Sequence, residues 1–378
     1  MRKYDYWLCS IAGVGNRSIE RLLAVYGNAE AVYRATESGL SEVLKGKQLQ
    51  ELMQSRKQWD VDREYAKLQE AGIVFLVNGD REYPKRLQNI PDTPYGIFYR
   101  GRLPKEDCLT VAIIGARDCS EYGRYVASEL GKYLGTMGVQ VISGMARGID
   151  GISQEAALGA GGFTAAVLGC GVDICYPRQN KALYERILMQ GCILSSYPPQ
   201  TLPKPQNFPP RNRIVSGLSD VIVVIEARNK SGTLITVDMA LEQGKEVYVV
   251  PGRITDRLSD GCNRLLKQGA GVLLSPVEFL EEVGELWHGQ SLGKRMMEKA
   301  KEGSERESKR EGDKTVYSLP ENLQEIYSLL DFMPKSTEQI LEQLHQATSV
   351  SELNVKLMKL CLMGVAAQET PGHFYKVH

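Results

Sequence analysis

The central part of the chain predicts a doubly wound α/β fold with a mostly parallel, Rossmann-like sheet. Two observations predict it. Seven short apolar runs recur at 111–114, 139–142, 164–168, 192–194, 221–225, 247–250 and 272–274. Amphipathic stretches separate them; after the first run, Val126, Leu130, Leu134 and Met137 follow a helical stripe. Wholly apolar strands alternating with helices place helices on both faces of a parallel sheet. The 378 residues suit two or three domains, at ~100–200 residues per domain.

Residues 1–65 read as helices with short turns. Ile19, Leu22 and Leu23 keep i, i+3, i+4 spacing, so a helix starts after Gly13-Val14-Gly15. A Gly-x-Gly turn between helices resembles a helix-hairpin-helix (SAM-like) module, in which backbone N–H groups meet a DNA phosphate. A plain packing unit has the same pattern, and only Arg17 and Arg21 lie near as cations. Residues 66–109 connect this region to the sheet, with one strand-like run at 73–77 and turn-rich segments around Pro84, Pro91 and Pro94. The extended Rossmann-like domain therefore spans 66–290.

Residues 291–316 are mostly Lys, Glu, Arg, Ser and Gly, and read as a charged linker. In 317–378, Ile326, Leu329 and Leu330 mark one helix. Ile340, Leu341 and Leu344 mark a second, with Ser336 as its N-cap, and Leu353, Leu357 and Leu360 a third. Runs at 365–368 and 374–377 flank Thr370-Pro371-Gly372, a hairpin signal. Three helices and a hairpin predict a winged helix. Its third helix mixes Lys356 and Lys359 with Glu352, so protein contact and DNA contact both remain open.

Composition narrows the chemistry. Lys plus Arg and Asp plus Glu both number 46, so no global field draws in nucleic acid. Hydrophobic residues at 43% and charged residues at 24% exclude wholesale disorder. No apolar run reaches the ~18–20 residues of a membrane helix, and the N-terminus lacks a secretion signal, which predicts a cytoplasmic protein. The eight cysteines form no CxxC and have no histidine at zinc spacing, so no metal is expected. All four histidines (His288, His345, His373, His378) lie beyond the central sheet, which excludes a Ser–His or Cys–His pair there.

Ligands of a doubly wound sheet sit outside the carboxyl ends of its strands. The loops expected there carry Gly115-Ala116-Arg117, then Ser143-Gly144 with Arg147-Gly148, then Gly169 with Lys181 beyond it, and Ser231-Gly232-Thr233. Glycine, hydroxyl or cation, and a following helix N-terminus together suit anionic oxygens. GxGxxG is absent after the first strand and no Walker motif occurs, so no nucleotide cofactor is expected. Several cradles suggest several phosphates in series. Phe208, Arg211, Asn212 and Arg213 add a stacking ring and forked cations. Residues 110–275 hold 17 basic and 14 acidic side chains, so binding would rest on placed cations. Asp150 and Asp173 read as carboxylates that cap a helix and fix a loop, rather than as catalytic groups. Glu226 reads as a structural ion-pair partner of Arg228 or Lys230.

These same strings resemble the DNA-processing protein A family (DprA, also called Smf). The carriers are Ile114-Gly115-Ala116-Arg117, Ser143-Gly144-Met145-Ala146-Arg147-Gly148-Ile149-Asp150, and Leu168-Gly169-Cys170-Gly171-Val172-Asp173. Phe208-Pro209-Pro210-Arg211-Asn212-Arg213-Ile214, Ser231-Gly232-Thr233-Leu234-Ile235-Thr236 and Val250-Pro251-Gly252 complete them. The resemblance covers most of 70–275. It implies a non-enzymatic protein that binds and shields single-stranded DNA during natural transformation and loads a RecA-type recombinase. It also implies a homodimer through the Rossmann domain. Arg117, Arg211 and Arg213 take the phosphate-facing positions it implies, with Lys181 as a further backbone contact. Two departures stand out: Gln154 where the family has histidine, and Ser196 where it has glutamate. The rival reading is a nucleotide-phosphate hydrolase of the lysine-decarboxylase-like Rossmann group. Its Gly-Thr-x-x-Glu motif appears here as Gly232-Thr233-Leu234-Ile235-Thr236, with threonine for the carboxylate. A pure interaction scaffold would leave the anion cradles unexplained.

Overall fold

The computed structural model describes residues 2–286, 319–344 and 349–377. The linker expected at 291–316, and His288, His345 and His378, lie outside the described residues. The chain divides into two compact units, Met1–Asp118 with Ala127–Met296, and Cys119–Val126 with Met297–His378. The boundary expected at residue 65 falls inside the first unit.

That unit opens with six helices: α1 (Arg2–Cys9), α2 (Asn16–Tyr26), α3 (Ala29–Arg34), α4 (Glu37–Val43), α5 (Lys47–Gln58) and α6 (Val61–Glu70). Their own core holds Trp7, Leu8, Leu22, Leu40 and Leu52, all fully buried. A second set of contacts joins them to the sheet. Tyr6 packs against Phe75 and Phe98 at ring distances of 5.9 and 5.8 Å, and the Tyr95 hydroxyl donates to Asp5 at 2.6 Å. Asn16, the first residue of α2, donates to the Thr93 carbonyl and accepts from the Tyr95 N–H. These bonds hold the start of α2 against the connecting segment.

The sheet has nine strands: β1 (Val74–Val77), β2 (Gly96–Gly101), β3 (Thr110–Ile114), β4 (Gln140–Ser143), β5 (Thr164–Val167), β6 (Cys192–Ser195), β7 (Val221–Val224), β8 (Glu246–Val249) and β9 (Gly271–Val272). Their order is β1-β2-β6-β5-β4-β3-β7-β8-β9. From β6 to β9 every pairing is parallel, while β2 runs antiparallel to both β1 and β6. All seven expected runs of the central domain form strands. Strand β2 was not expected, because its Gly-Ile-Phe-Tyr-Arg-Gly run lies in a turn-rich stretch; Pro94 and Gly101 bound it in the manner of a strand.

A short helix, α7 (Lys85–Gln88), lies between β1 and β2. The seven parallel strands are linked by α8 (Glu121–Thr136), α9 (Ile149–Gly159), α10 (Lys181–Gln190), α11 (Phe208–Gly217), α12 (Gly232–Glu242) and α13 (Asp260–Lys267), and α14 (Pro276–Leu286) follows β9. From β3 the chain steps outward through β4, β5 and β6. It then returns to β7 on the other side of β3, with Ile114 opposite Val224. The strand order therefore reverses between β3 and β7, which opens a crevice at their carboxyl ends.

In the second unit, α15 (Glu321–Leu329), β10 (Lys335–Ser336), α16 (Thr337–Gln343), α17 (Val350–Leu362), β11 (Ala366–Thr370) and β12 (His373–Lys376) follow in order, and the strands pair as β10-β12-β11. Ser336 caps α16 with Gln339 as reciprocal partner, and Ser349 and Glu352 do the same for α17. Ile340, Leu353, Leu357, Leu360 and Phe374 form the core. No helix among the described residues is long and apolar enough to cross a membrane.

Two glycines test how tightly the sheet layers are packed. A Cβ on Gly131 of α8 would collide with the Ser153 carbonyl of α9, whereas Gly159 at the end of α9 faces open space. Gly131→Ala is expected to lower stability by about 1–3 kcal/mol. Gly159→Ala should raise it by up to about 1 kcal/mol. Urea unfolding of both variants measures the contrast.

Candidate nucleic-acid interface

The crevice at the strand-order reversal is a cleft of about 600 Å³. Residues 114–118 after β3, Gly144 and Ala146 after β4, Phe208, Arg211 and Asn212 of α11, and Ala227, Arg228 and Ser231–Thr233 around the start of α12 line it. Asp150, Tyr176, Ile235, Thr236 and Leu258 also contribute to the wall.

One buried arrangement shapes its floor. The Gly144 N–H donates to Asp150 Oδ2 at 3.1 Å, and its carbonyl accepts from Arg211 Nη1 at 2.8 Å. Arg211 Nη1 also bonds the Val167 carbonyl, and its Nε donates to Asn212 Oδ1 at 3.2 Å. Arg211 is only 4% exposed. Burial pushes its guanidinium down in pKa and the Asp150 carboxyl up, while their mutual attraction opposes both shifts. Gly144 has no room for a Cβ, because the Arg211 guanidinium occupies that position.

The rest of the β4–α9 loop is equally constrained. Met145 takes a left-handed φ of 52°. Its N–H donates to Gln154 Oε1 at 3.0 Å and its carbonyl accepts from Asn180 Nδ2 at 3.0 Å. Gln154 also donates to Thr164 Oγ1 and the Ala165 carbonyl, both at 3.0 Å. Gln154, which departs from the family pattern, is thus a fully buried tie between this loop and β5. Ser143 is fully buried as well and donates to the Ile113 carbonyl at 2.6 Å, so its hydroxyl holds β4 to β3 and does not face the cleft as expected. Gly148, at φ 77°, is the N-cap of α9 and sits directly under the Ala116 and Arg117 carbonyls. Asp150 lies inside the first turn of α9, so it serves the Gly144 peptide and not the helix cap expected from sequence. Asp173 does fix a loop, by accepting the Gln200 N–H on both oxygens.

Above this floor stands Phe208. Arg117 lies over its ring at 5.7 Å, Arg211 at 5.6 Å, and the Tyr176 ring is 5.7 Å away. A Cβ at Gly169 would strike the Phe208 ring, so glycine there lets α11 approach β5. Also lining the cleft, α12 begins at Gly232 with Ser231 as an N-cap whose side chain makes no cap bond. The buried Ser231 Oγ has no hydrogen-bond partner, and Thr233 Oγ1 donates to the Gly115 carbonyl at 3.2 Å. An uncapped N-terminus of eleven helical residues, with a spare hydroxyl beside it, favours an anion.

The predicted cations separate sharply once their partners are seen. Arg117 is exposed and forms no ion pair among the described residues. Arg147 is exposed but pairs with Asp118 at 2.6 Å, and Lys181 pairs with Glu185 at 3.7 Å. Neither Arg147, Lys181 nor Arg213 lines the cleft. Arg213 is bound to Asp92 of the connecting segment, and Arg211 is the floor just described. The expectation that Arg211 and Arg213 both present free forks is corrected by these bonds. Arg228 and Tyr176 line the cleft and were missed as binding residues. Their signals were present: Arg228 follows a strand run, and Tyr176 opens Tyr-Pro. Among the described residues, no group of three or more His, Cys, Asp or Glu side chains is placed to hold a metal ion.

Residues 74–284 match the family described as DNA recombination-mediator protein A. The chain belongs to that family. Protein Smf of Synechocystis is 30% identical over 395 residues, spanning 98% of each chain. DNA processing protein DprA of Bacillus subtilis is 38% identical over 59% of this chain and 75% of that protein. Among solved structures, DprA of Streptococcus pneumoniae superposes with a TM-score of 0.66 at 32% identity, covering 75% of this chain and 98% of that one. DNA processing protein A of Helicobacter pylori, whose structure is described for its single-stranded DNA binding mode, gives 0.51 at 32% identity over 56% and 95%. The matched stretch of this family member includes every residue lining the cleft.

Two arginines 5.6–5.7 Å from one ring should behave oppositely. Arg211→Ala leaves buried Asp150 and two buried carbonyls without their partner, and should cost about 3–5 kcal/mol. Arg117→Ala should cost about 0–1 kcal/mol. Thermal melts of the two variants provide the comparison.

Proposed function

We propose that this protein binds and protects single-stranded DNA and hands it to a RecA-type recombinase during DNA uptake and recombination. It acts in the cytoplasm as a homodimer through the sheet-bearing unit. The single observation that carries the reading is the cleft lining, where unpaired Arg117 lies over Phe208 and the uncapped N-terminus of α12 opens into the same cleft. A phosphate between them meets a forked cation on one side and backbone N–H groups on the other. The Phe208 ring offers a face to a base, worth ~1–3 kcal/mol and tolerant of sequence. The ligand-facing residues of the proposal are Gly115, Arg117, Phe208, Asn212, Arg228 and Ser231–Thr233.

The same wall supports a binding role over hydrolysis. Of the two carboxylates lining it, Asp150 is engaged with Gly144 and Asp118 with Arg147. Thr236 stands where the hydrolase motif carries glutamate, and it is 4% exposed. The order of three helices and a small sheet in 319–377 supports a winged helix, and the helices before the sheet support a helix-hairpin-helix unit.

Filter binding should show preference for single-stranded over duplex DNA with little sequence dependence. Neither ATP nor a divalent metal should be required. Arg117→Ala should weaken binding to all sequences and reduce the log–log salt slope by about 0.7. Equal retention of blunt duplex and matched single strand would reject the proposal, as would loss of binding on chelation.

A further inference from the structure

We propose that a bound single strand leaves the cleft across a second station, built by the loops that follow β7 and β8. There Arg228, Lys230 and Arg257 take backbone phosphates, and Ile254 supports a base. The proposal rests on the single-stranded DNA reading above and extends it along the rim of the sheet.

Both loops lie at the carboxyl edge of adjacent parallel strands, on the β7 side of the strand-order reversal. They are tied together. The Ala227 N–H donates to the Leu258 carbonyl at 2.8 Å, and the Gly261 N–H donates to the Ala227 carbonyl at 2.7 Å. Gly261 is required for that approach, because a Cβ would press on the Ala227 and Arg228 carbonyls. Arg228 and Leu258 already line the cleft, so the station is continuous with it.

Three cations on these loops are uncommitted. Arg228, Lys230 and Arg257 are all exposed, and none forms an ion pair among the described residues. The nearby acid, Asp256, spends Oδ1 on the Leu258 N–H at 2.9 Å. This contrasts with Arg147, Lys181 and Arg213, each held by a carboxylate. In a chain of zero net charge, three unpaired cations on two joined loops form a local phosphate-seeking patch.

The loop tip adds an apolar contact. Ile254 is 91% exposed. It is not on a frayed segment, since the Asp256 N–H donates to the Arg253 carbonyl and the Ser259 N–H to the Asp256 carbonyl, both at 3.0 Å. Gly252 closes the loop by letting Ser259 pack where a Cβ would be. An ordered turn that holds a branched apolar side chain in water between basic residues suits the face of an unstacked base, with phosphates on either side.

Fluorescence anisotropy with oligothymidylates of about 4 and about 16 nucleotides tests the idea. The double variant K230A/R257A, which leaves the cleft residue Arg228 in place, should bind the short oligomer within about twofold of wild type. It should bind the long one about fivefold more weakly at low salt, with the salt slope reduced by about 1.4. Ile254→Ser should weaken only the long oligomer and leave the slope unchanged. Arg117→Ala should weaken both lengths, which separates failure of the cleft from failure of the station. Unchanged long-oligomer affinity and slope in the double variant would overturn the proposal while leaving the cleft reading intact. If the wild type bound neither oligomer, both readings would fall. Should the double variant melt early, Arg257→Gln alone applies the same criterion at about half of the slope change.

Discussion

The Gly144 peptide is gripped from both sides, its N–H by buried Asp150 and its carbonyl by buried Arg211. The shape of the cleft depends on this grip. Asp150 comes from α9, Arg211 from α11, and Gly144 from the end of β4, so one peptide unit ties three elements at the carboxyl edge of the sheet. Each charged group alone would be costly to bury, and the attraction between them across a bonded peptide offsets part of that cost. The same clamp leaves Arg211 beneath the Phe208 ring, so the aromatic wall rests on it. Gln154 and Asn180 then hold the left-handed Met145 in place, and the loop becomes a rigid surface.

Rigidity matters because the protein has no broad positive field to capture DNA. A polyanion must be recognised by a few donors at fixed spacing, and preorganised donors lose little entropy when they bind. The cleft supplies such donors without long flexible cations: a helix N-terminus, an unpaired hydroxyl at Ser231, and one exposed arginine stacked on a ring. Cations bound to carboxylates perform a different task. Arg213, held by Asp92, secures α11 to the segment that also grips the start of α2, and so joins the N-terminal helices to the cleft wall.

Much of this was legible in the chain itself. Seven apolar runs with helical stretches between them determine a parallel sheet, because strand and helix periods are local properties of sequence. The glycine-rich junctions at 115, 144, 169 and 232 locate the carboxyl edge for the same reason, and all four line or underlie the cleft. The Ser336 cap is similarly a matter of four neighbouring residues. Strand β2 escaped because glycines bound its run, an arginine interrupts it and prolines crowd the stretch before it, while the parallel core strand it pairs with, β6, lies far along the chain.

What the sequence could not decide was which charges are free. Arg117, Arg147, Arg211 and Arg213 look alike as letters in glycine-rich or arginine-rich strings. Folding gives Arg147 to Asp118, Arg213 to Asp92 and Arg211 to two carbonyls, and leaves Arg117 exposed. Two of these assignments link residues more than 60 positions apart, so no local pattern encodes them. The same holds for Arg228 and Arg257, which become neighbours of the cleft only because β7 and β8 pair. Periodicity is written along the chain and therefore determines the elements; electrostatic freedom depends on which carboxylate or carbonyl the fold brings within a few ångströms, and only the tertiary structure sets that distance.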